Sequence, residues 1–288
     1  MSPQTHELLI AEFNADLSVR QNIHALQPRE VFQVGTSQLT LVPNGHMLGS
    51  VQVLVERADG KRLGYSGDFA WPLDPEDVIK CDELVVDSTY GSPGSIRQYS
   101  QEDAEARLVE LVHAKLRTGA VHVHAHRGTI QRALQLLSTN VNAPVIASER
   151  LCQEIAVYQG HGAAVGTVLM SRSSEGVDAL RTKRYIRLYS KGDRPPDGST
   201  GGTTISLSAY MVPHRDPVLE YSDRAYKVAL SNHADFQGTL DYITATGAKF
   251  VVTDNTRTHG VELSQAIEER LGIRSQPSNN HFSREWGC

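Results

Sequence analysis

Two rhythms of apolar and polar residues run along this chain. Near its front, QLTLVP (38–43), VQVLVE (51–56) and KRLGYSG (61–67) have the short, alternating, β-branched character of strands. Turns at Asn44-Gly45 and Asp59-Gly60 join them, and the Asp-Gly pair is a hairpin signal. ELVVDSTYG (83–91) reads as a buried strand that runs out into polar residues and a glycine. From Ser100 the period lengthens. Ser100 and Asp103 form a capping pattern, and Ala104, Leu108, Leu111, Val112 and Leu116 then share one helical face. AVHVHA (120–125) predicts a strand and TIQRALQLLS (129–138) a helix, with a third helix expected from about Glu149 to Tyr158.

The stretch 161–220 is irregular. KRYIRLYSK (183–191) and TTISLS (203–208) are strand-like and flank the loop GDRPPDGSTGG, which makes them candidates to pair across it. YKVALSNHADF then passes from strand to turn. FQGTLDYITATG reads as a helix ended by Gly247, AKFVVT as a strand, and VELSQAIEERLG as a last helix stopped by Gly272. Strands and helices alternate at both ends around a middle of different texture. That pattern predicts an α/β domain carrying an insertion, with parts at 1–95 and 221–288 around an inserted 96–220.

Composition narrows the class. Of 288 residues, 40% are hydrophobic and 21% charged, as in a globular chain. No apolar run approaches the roughly 20 residues of a membrane helix, and MSPQTHELLIAEF lacks the features of a signal peptide. Cys81, Cys152 and Cys288 are scattered with no CxxC, which points to a reducing cytoplasm and away from a thiolate-zinc framework. A net charge of −5 argues against a general nucleic-acid coat but leaves room for a local basic track.

Five polar residues stand at or just beyond apolar runs: His46, Asp68, Asp87, His233 and Asp254. Open α/β sheets place their sites at such strand ends. Imidazole and carboxylate together suit borderline divalent metals, zinc and manganese above all. Each residue alone also has an ordinary reading, as a turn residue or a loop cap. Their recurrence at five strand ends is what points to chemistry.

NGHMLGSVQVLVE, GKRLGYSGDF and CDELVVDSTYG, followed later by SNHADF, resemble the metallo-β-lactamase fold in its β-CASP nuclease branch. The resemblance covers 38–91 and about 226–271, in the order of that branch, and SNHADFQGTLDYITATGAKFVVT looks closest to its DNA-ligase-associated exonucleases. It implies an αββα sandwich with 96–220 as a β-CASP-like α/β cap, and a substrate cleft between the parts. It also implies two divalent cations, zinc or else manganese, which in paired-metal hydrolases lie about 3.5–4 Å apart. His46 would bind one cation and Asp68 would bridge both. Asp87 would orient His233, and His233 would protonate the leaving oxygen or stabilise the charge there. Asp254 would ligate the second cation, with His259 its rival.

The branch draws most of its ligands from an HxHxDH motif, and no such motif stands upstream of His46. The sandwich is therefore expected to be N-terminally incomplete, binding metal weakly in this form. A natural loss is the competing account. The implied function is metal-dependent hydrolysis of RNA or single-stranded DNA. A non-catalytic nucleic-acid-binding scaffold is the alternative, and a small-molecule hydrolase of the superfamily a more distant one. A homo-oligomer is a further expectation.

Two motifs lie in the inserted part. His122, His124 and His126 alternate, so a strand would turn all three to one face. They are read as groove-lining or structural, with a metal comb as the other possibility. Lys183, Tyr185, Arg187 and Tyr189 would likewise share a face, and with Arg184 and Arg127 they suit the phosphates and bases of a single strand. A solvated, positively charged edge strand is the plain alternative.

Overall fold

The computed structural model describes residues 1–13, 16, 17, 20, 22–193, 201–208, 215–256 and 259–278. Most of the Pro/Gly/Ser loop, 194–200, lies outside the described residues. The chain begins with α1 (Pro3–Phe13), then β1 (Val31–Val34), β2 (Ser37–Pro43), β3 (Val51–Glu56), β4 (Arg62–Tyr65) and β5 (Glu83–Val86). It continues with α2 (Gln101–Leu116), β6 (Ala120–His124), α3 (Thr129–Asn140), β7 (Val145–Ala147), α4 (Glu149–Gly160) and β8 (Val168–Met170). Next come α5 (Ser174–Arg181), β9 (Ile186–Tyr189), β10 (Gly202–Leu207), β11 (Val218–Ser222) and β12 (Ala225–Val228). It closes with α6 (Phe236–Thr246), β13 (Phe250–Thr253), α7 (Gly260–Leu271) and β14 (Arg274–Pro277). The architecture is α/β with two mixed sheets. It divides into two compact units: Met1–Thr5, Asn22–Arg97 and Asn232–Cys288 in one, His6–Gln21 and Gln98–Ser231 in the other.

The first unit contains a sheet of order β1-β2-β3-β4-β5-β13-β14. β2, β3 and β4 form an antiparallel meander, with the expected turn at Asp59-Gly60 joining β3 to β4. β4, β5, β13 and β14 then run parallel. Because β2 and β4 both oppose β3, the strands β2, β4, β5 and β13 all point the same way. Their carboxyl ends therefore line one edge of the sheet. Leu84 and Val86 of β5 and Val251 of β13 pack with Phe236, Ile243, Leu263 and Ile267 from α6 and α7. Both helices stop where expected, at Gly247 and Gly272, each in the left-handed conformation.

One buried polar brace supports the site end of this sheet. Gln52 is fully buried and donates through Nε2 to the carbonyls of Pro43 (2.8 Å) and Asp77 (2.5 Å). Its Oε1 accepts from the hydroxyl of the buried Tyr242 at 2.6 Å. The brace anchors the last residue of β2, from which the His46 turn departs.

The second unit holds a sheet of order β11-β12-β10-β6-β9-β7-β8, parallel except at β11. Leu108 and Val112 of α2, Ile130 and Leu134 of α3, and Leu151 and Ile155 of α4 cover one face of it. The capping box expected at Ser100 and Asp103 opens α2.

The pairing considered for 183–191 and 203–208 does not form. β6 lies between β9 and β10 and bonds to both. Residues 120–123 are all buried, the signature of a central strand. The irregular stretch also contains β8 and α5, of three and eight residues. Both are too short to show a period in sequence.

Tyr242→Phe removes the donor from a buried acceptor, Gln52 Oε1. Unfolding in urea is expected to show a loss of about 1–3 kcal/mol. A change within a few tenths would mean that the glutamine carbonyl is satisfied elsewhere.

Candidate metal centre

The site is built in the first unit, on the turns that leave β2, β4 and β5 and on the segment before α6. Asn44 is the fastener. It is 1% exposed, and its Nδ2 donates to the carbonyls of Ser66 (3.1 Å) and Asp68 (2.8 Å). Its Oδ1 accepts from Ser50 Oγ (2.5 Å) and from the backbone N–H of His46 (3.3 Å). One amide thus ties the His46 turn to the exit of β4. Ala70 N–H donates to the Asn44 carbonyl, and Ala234 N–H to that of Phe69, which draws the SNHADF segment alongside.

The far end of the His46 turn is held from the N-terminus. The hydroxyls of Ser2 and Thr5 donate to the carbonyl of Gly49 at 2.6 and 2.9 Å. Gly49 has φ +79°, and a Cβ there would lie 2.7 Å from the Thr5 nitrogen. Only glycine meets both demands.

His46, Asp68 and His233 converge. Each is half-buried and offers one ligand atom, and these atoms lie within 4.8 Å of one another. Among the described residues they are the one group of three or more such side chains. His46 Nδ1 lies 3.2 Å from the carbonyl of Asn232. A carbonyl only accepts, so Nδ1 carries the proton and Nε2 keeps its lone pair. The His233 ring stands 4.5 Å from that of His46, at 65°.

Behind His233, its Nδ1 faces Asp87 Oδ2 at 3.5 Å. The other Asp87 oxygen accepts from Thr89 N–H (3.0 Å) and Thr89 Oγ1 (2.7 Å). The Arg97 guanidinium donates to the His233 carbonyl, and Arg97 N–H donates to Asp235 Oδ2 at 2.9 Å. Asp235 also caps α6 through Gly238 N–H, so helix start and histidine are placed together.

Electrostatics suit ligation. Burial, and then the nearby His233, push His46 below the usual histidine range against the pull of the Asn232 carbonyl. Burial alone would raise Asp87, but its bonds with His233 and Thr89 outweigh this and hold it below the usual carboxylate range. His46 is therefore a neutral donor and Asp87 an ionised acceptor at neutral pH. Two imidazoles and a carboxylate fit a borderline divalent ion with positions left for solvent or substrate.

Asp254 stands at the end of β13, but its carboxylate accepts from Thr256 N–H (2.9 Å) and Oγ1 (2.7 Å), and it is not in the cluster. His259 Nδ1 faces Glu262 at 3.3 Å. His233, expected to act at the leaving oxygen as acid or charge stabiliser, also has a ring nitrogen within 4.8 Å of the ligand atoms of His46 and Asp68. Asn44, Asn232 and Arg97 went unread because each acts through the backbone, and no residue pattern marks such bonds.

The remaining candidates belong to the second unit. Arg127 pairs with Glu12 and lies 3.9 Å from the buried Glu154. Lys183 and Arg184 are exposed and precede β9, with Lys183 at φ +56°, so Lys183 does not continue the strand alternation. Tyr185 is buried with its ring edge-on to His122, which leaves no face for a base. Arg187 lies on β9, half-exposed. His122 and His124 share a face, but His126 lies beyond the strand. His122 Nδ1 lies 3.1 Å from Tyr189 Oη, and His124 stacks on the Tyr189 ring at 4.4 Å. Among the described residues these histidines gather no metal-ligating group of three.

No family model matches the chain. An RNase J-like protein of Methanocaldococcus jannaschii is 29% identical over 133 residues, 41% of this chain and 31% of that protein. Transcription termination factor FttA of Pyrococcus abyssi is 36% identical over 138 residues, 43% of this chain and 21% of that protein. The chain thus spans less than a third of either relative. These similarities support the broad β-CASP kinship that the motifs imply. An uncharacterized protein in the lig 3′ region of Acidianus ambivalens is 33% identical over 126 residues, 43% of this chain and 89% of that protein. The chain belongs to the family of that Acidianus protein. A crystal structure of a protein of unknown function from Enterococcus faecalis V583 shares the fold, with a TM-score of 0.69 at 14% identity over 96% of this chain and 73% of that one. Among the described residues no helix is long and apolar enough to cross a membrane.

The histidine pair in the second unit generates a pH prediction. Burial first, then the charges of His124 and Arg187, push His122 from 6.5 down to about 4. A base whose folded value is depressed gives stability that is complete above its unfolded value and fades as pH falls from there toward the folded one. Denaturant unfolding is expected to lose up to about 3 kcal/mol between pH 6.5 and pH 4. His122→Asn should flatten that decline. An unchanged slope in the variant would assign the acid sensitivity to other groups.

Proposed function

We propose that this chain is a divalent-metal-dependent phosphodiesterase of metallo-β-lactamase fold and β-CASP type, acting on RNA or single-stranded DNA. The observation that carries the reading is the convergence of His46, Asp68 and His233, with Asp87 set behind His233. The nuclease and RNA-processing names among its relatives favour the same class.

His46 and Asp68 would hold the cation, with His233 within reach of it. A bound ion supplies Lewis acidity and brings the pKa of its water toward neutrality. The chain does the rest. Asn44 keeps the carboxylate and His46 in register, so no reorganisation is needed when substrate arrives. Asp87, 3.5 Å from His233 Nδ1, would hold the N–H of that nitrogen toward itself, leaving Nε2 to deliver the proton that the leaving oxygen takes as the phosphodiester breaks.

Three protein donors suit one cation but are few for the pair that the resemblance implies, and this favours one second reading: a relative that binds nucleic acid and does not cut it. The two readings separate in one set of assays. The chain is loaded with zinc or manganese, its bound metal is quantified, and a labelled single-stranded oligonucleotide is offered. Metal-dependent cleavage is expected. Asp68→Ala should remove the metal and lower the rate by about three orders of magnitude. Asp87→Asn should keep the metal and slow the reaction. Oligonucleotide binding without cleavage at full metal occupancy would establish the scaffold instead.

A further inference from the structure

The second unit contains a cavity of about 790 Å³ that the metal centre does not use. It opens at the carboxyl ends of β7 and β8, the parallel strands from which α4 and α5 depart, where open α/β sheets place their ligands. Arg150 enters from the first turn of α4, Arg172 from the turn after β8 and Arg187 from β9, and Ser148 and Ser171 line the space between.

The three guanidiniums are not equivalent. Arg150 is occupied by Glu154 (3.2 Å), Asp193 (3.3 Å) and the carbonyl of Lys191 (3.1 Å). Arg172 and Arg187 make no hydrogen bond or ion pair among the described residues. Arg187 is partly withdrawn from water on the sheet, with its guanidinium 5.2 Å from the centre of the Tyr189 ring. Of the two acids in the lining, Glu12 is engaged by Arg127, and Glu149 is exposed on the first turn of α4. A guanidinium placed on a sheet without a carboxylate is costly unless an anion or water completes it. Arg187, so placed, and the exposed Arg172 face one cavity. Two guanidiniums without a carboxylate partner match a doubly charged tetrahedral anion, which planar guanidinium forks grip in bidentate fashion. The volume is that of a small-molecule site, larger than a lone inorganic ion requires.

We infer that this cavity, whose lining shares no residue with the metal centre, binds a phosphomonoester held by Arg172 and Arg187. The group has two possible sources: a small phosphorylated molecule or the phosphorylated end of a nucleic acid. Neither requires the phosphodiesterase reading to be correct.

The test is calorimetric titration of the full chain carrying Asp68→Ala, so that an oligonucleotide would survive the measurement. The probes are inorganic phosphate, a nucleoside monophosphate, and one oligonucleotide with and without a terminal phosphate, all at about 0.15 M salt. Saturable binding of phosphorylated probes is expected, weakened about tenfold by Arg172→Ala and by Arg187→Ala separately. Arg215→Ala, outside the cavity, should leave it unchanged. Binding of the nucleoside monophosphate assigns a small ligand, and binding confined to the phosphorylated oligonucleotide assigns a nucleic-acid end. Arg172 is exposed, so its variant tests the site even if the Arg187 variant is unstable. Failure of every probe to bind, equal binding by the Arg172 variant, or equal binding of the unphosphorylated oligonucleotide would each overturn the assignment.

Discussion

The candidate centre depends on one buried amide. Asn44 spends both ends of its side chain on backbone that would otherwise be loose turn, donating to the Ser66 and Asp68 carbonyls and accepting from His46 and Ser50. A buried amide that loses partners is costly, so the two turns are locked in one arrangement or the amide is not buried at all. His46 and Asp68 are 22 residues apart in sequence and owe their proximity to this lock. Asn232 does the same from the opposite side, its carbonyl settling which nitrogen of His46 is free.

What the lock acts on is set by strand direction. An antiparallel meander followed by parallel strands sends β2, β4, β5 and β13 the same way. Polar residues just past each apolar run then share an edge without any further design. The second unit repeats the principle in its own sheet, where the parallel β7 and β8 deliver Ser148 and Ser171 to one cavity. In both units, the strands are paid for by burial and the chemistry is confined to where burial ends.

Much of this was legible in sequence, for reasons that can be named. β3 and α2 announced themselves by period and cap, and each matched its expected range closely. His46, Asp68, Asp87 and His233 were legible as strand-end residues. Their convergence was not, since it depends on β-sheet order and on side-chain bonds to backbone, neither of which leaves a local pattern. β8 and α5 were too short to show a period, and β9 and β10 looked like neighbours because proximity in sequence is a weak guide when a central strand can slip between them. Tyr185 read as a base platform from its alternation with charged residues; burial against His122 shows that alternation alone does not say which face meets water.

The two histidines of the cluster differ in what stands behind them, and that difference assigns their work in the proposed reaction. His46 has a neutral carbonyl at Nδ1, which fixes the tautomer but compensates little of an imidazolium charge, and burial opposes that charge further. Its role is therefore confined to offering a lone pair. His233 has an aspartate at Nδ1 whose carboxyl is held below its usual range by that contact and by Thr89. That carboxylate orients the His233 ring, so in the proposed reaction His233 is the member assigned to the leaving oxygen. One nitrogen cannot deliver a proton and bind a cation at once. Were His233 Nε2 taken up in ligation, proton delivery would pass to solvent; otherwise His46 and Asp68 would be the protein groups that hold a cation. The second arrangement leaves more open positions and a proton donor beside them, which is what phosphodiester cleavage asks of such a centre.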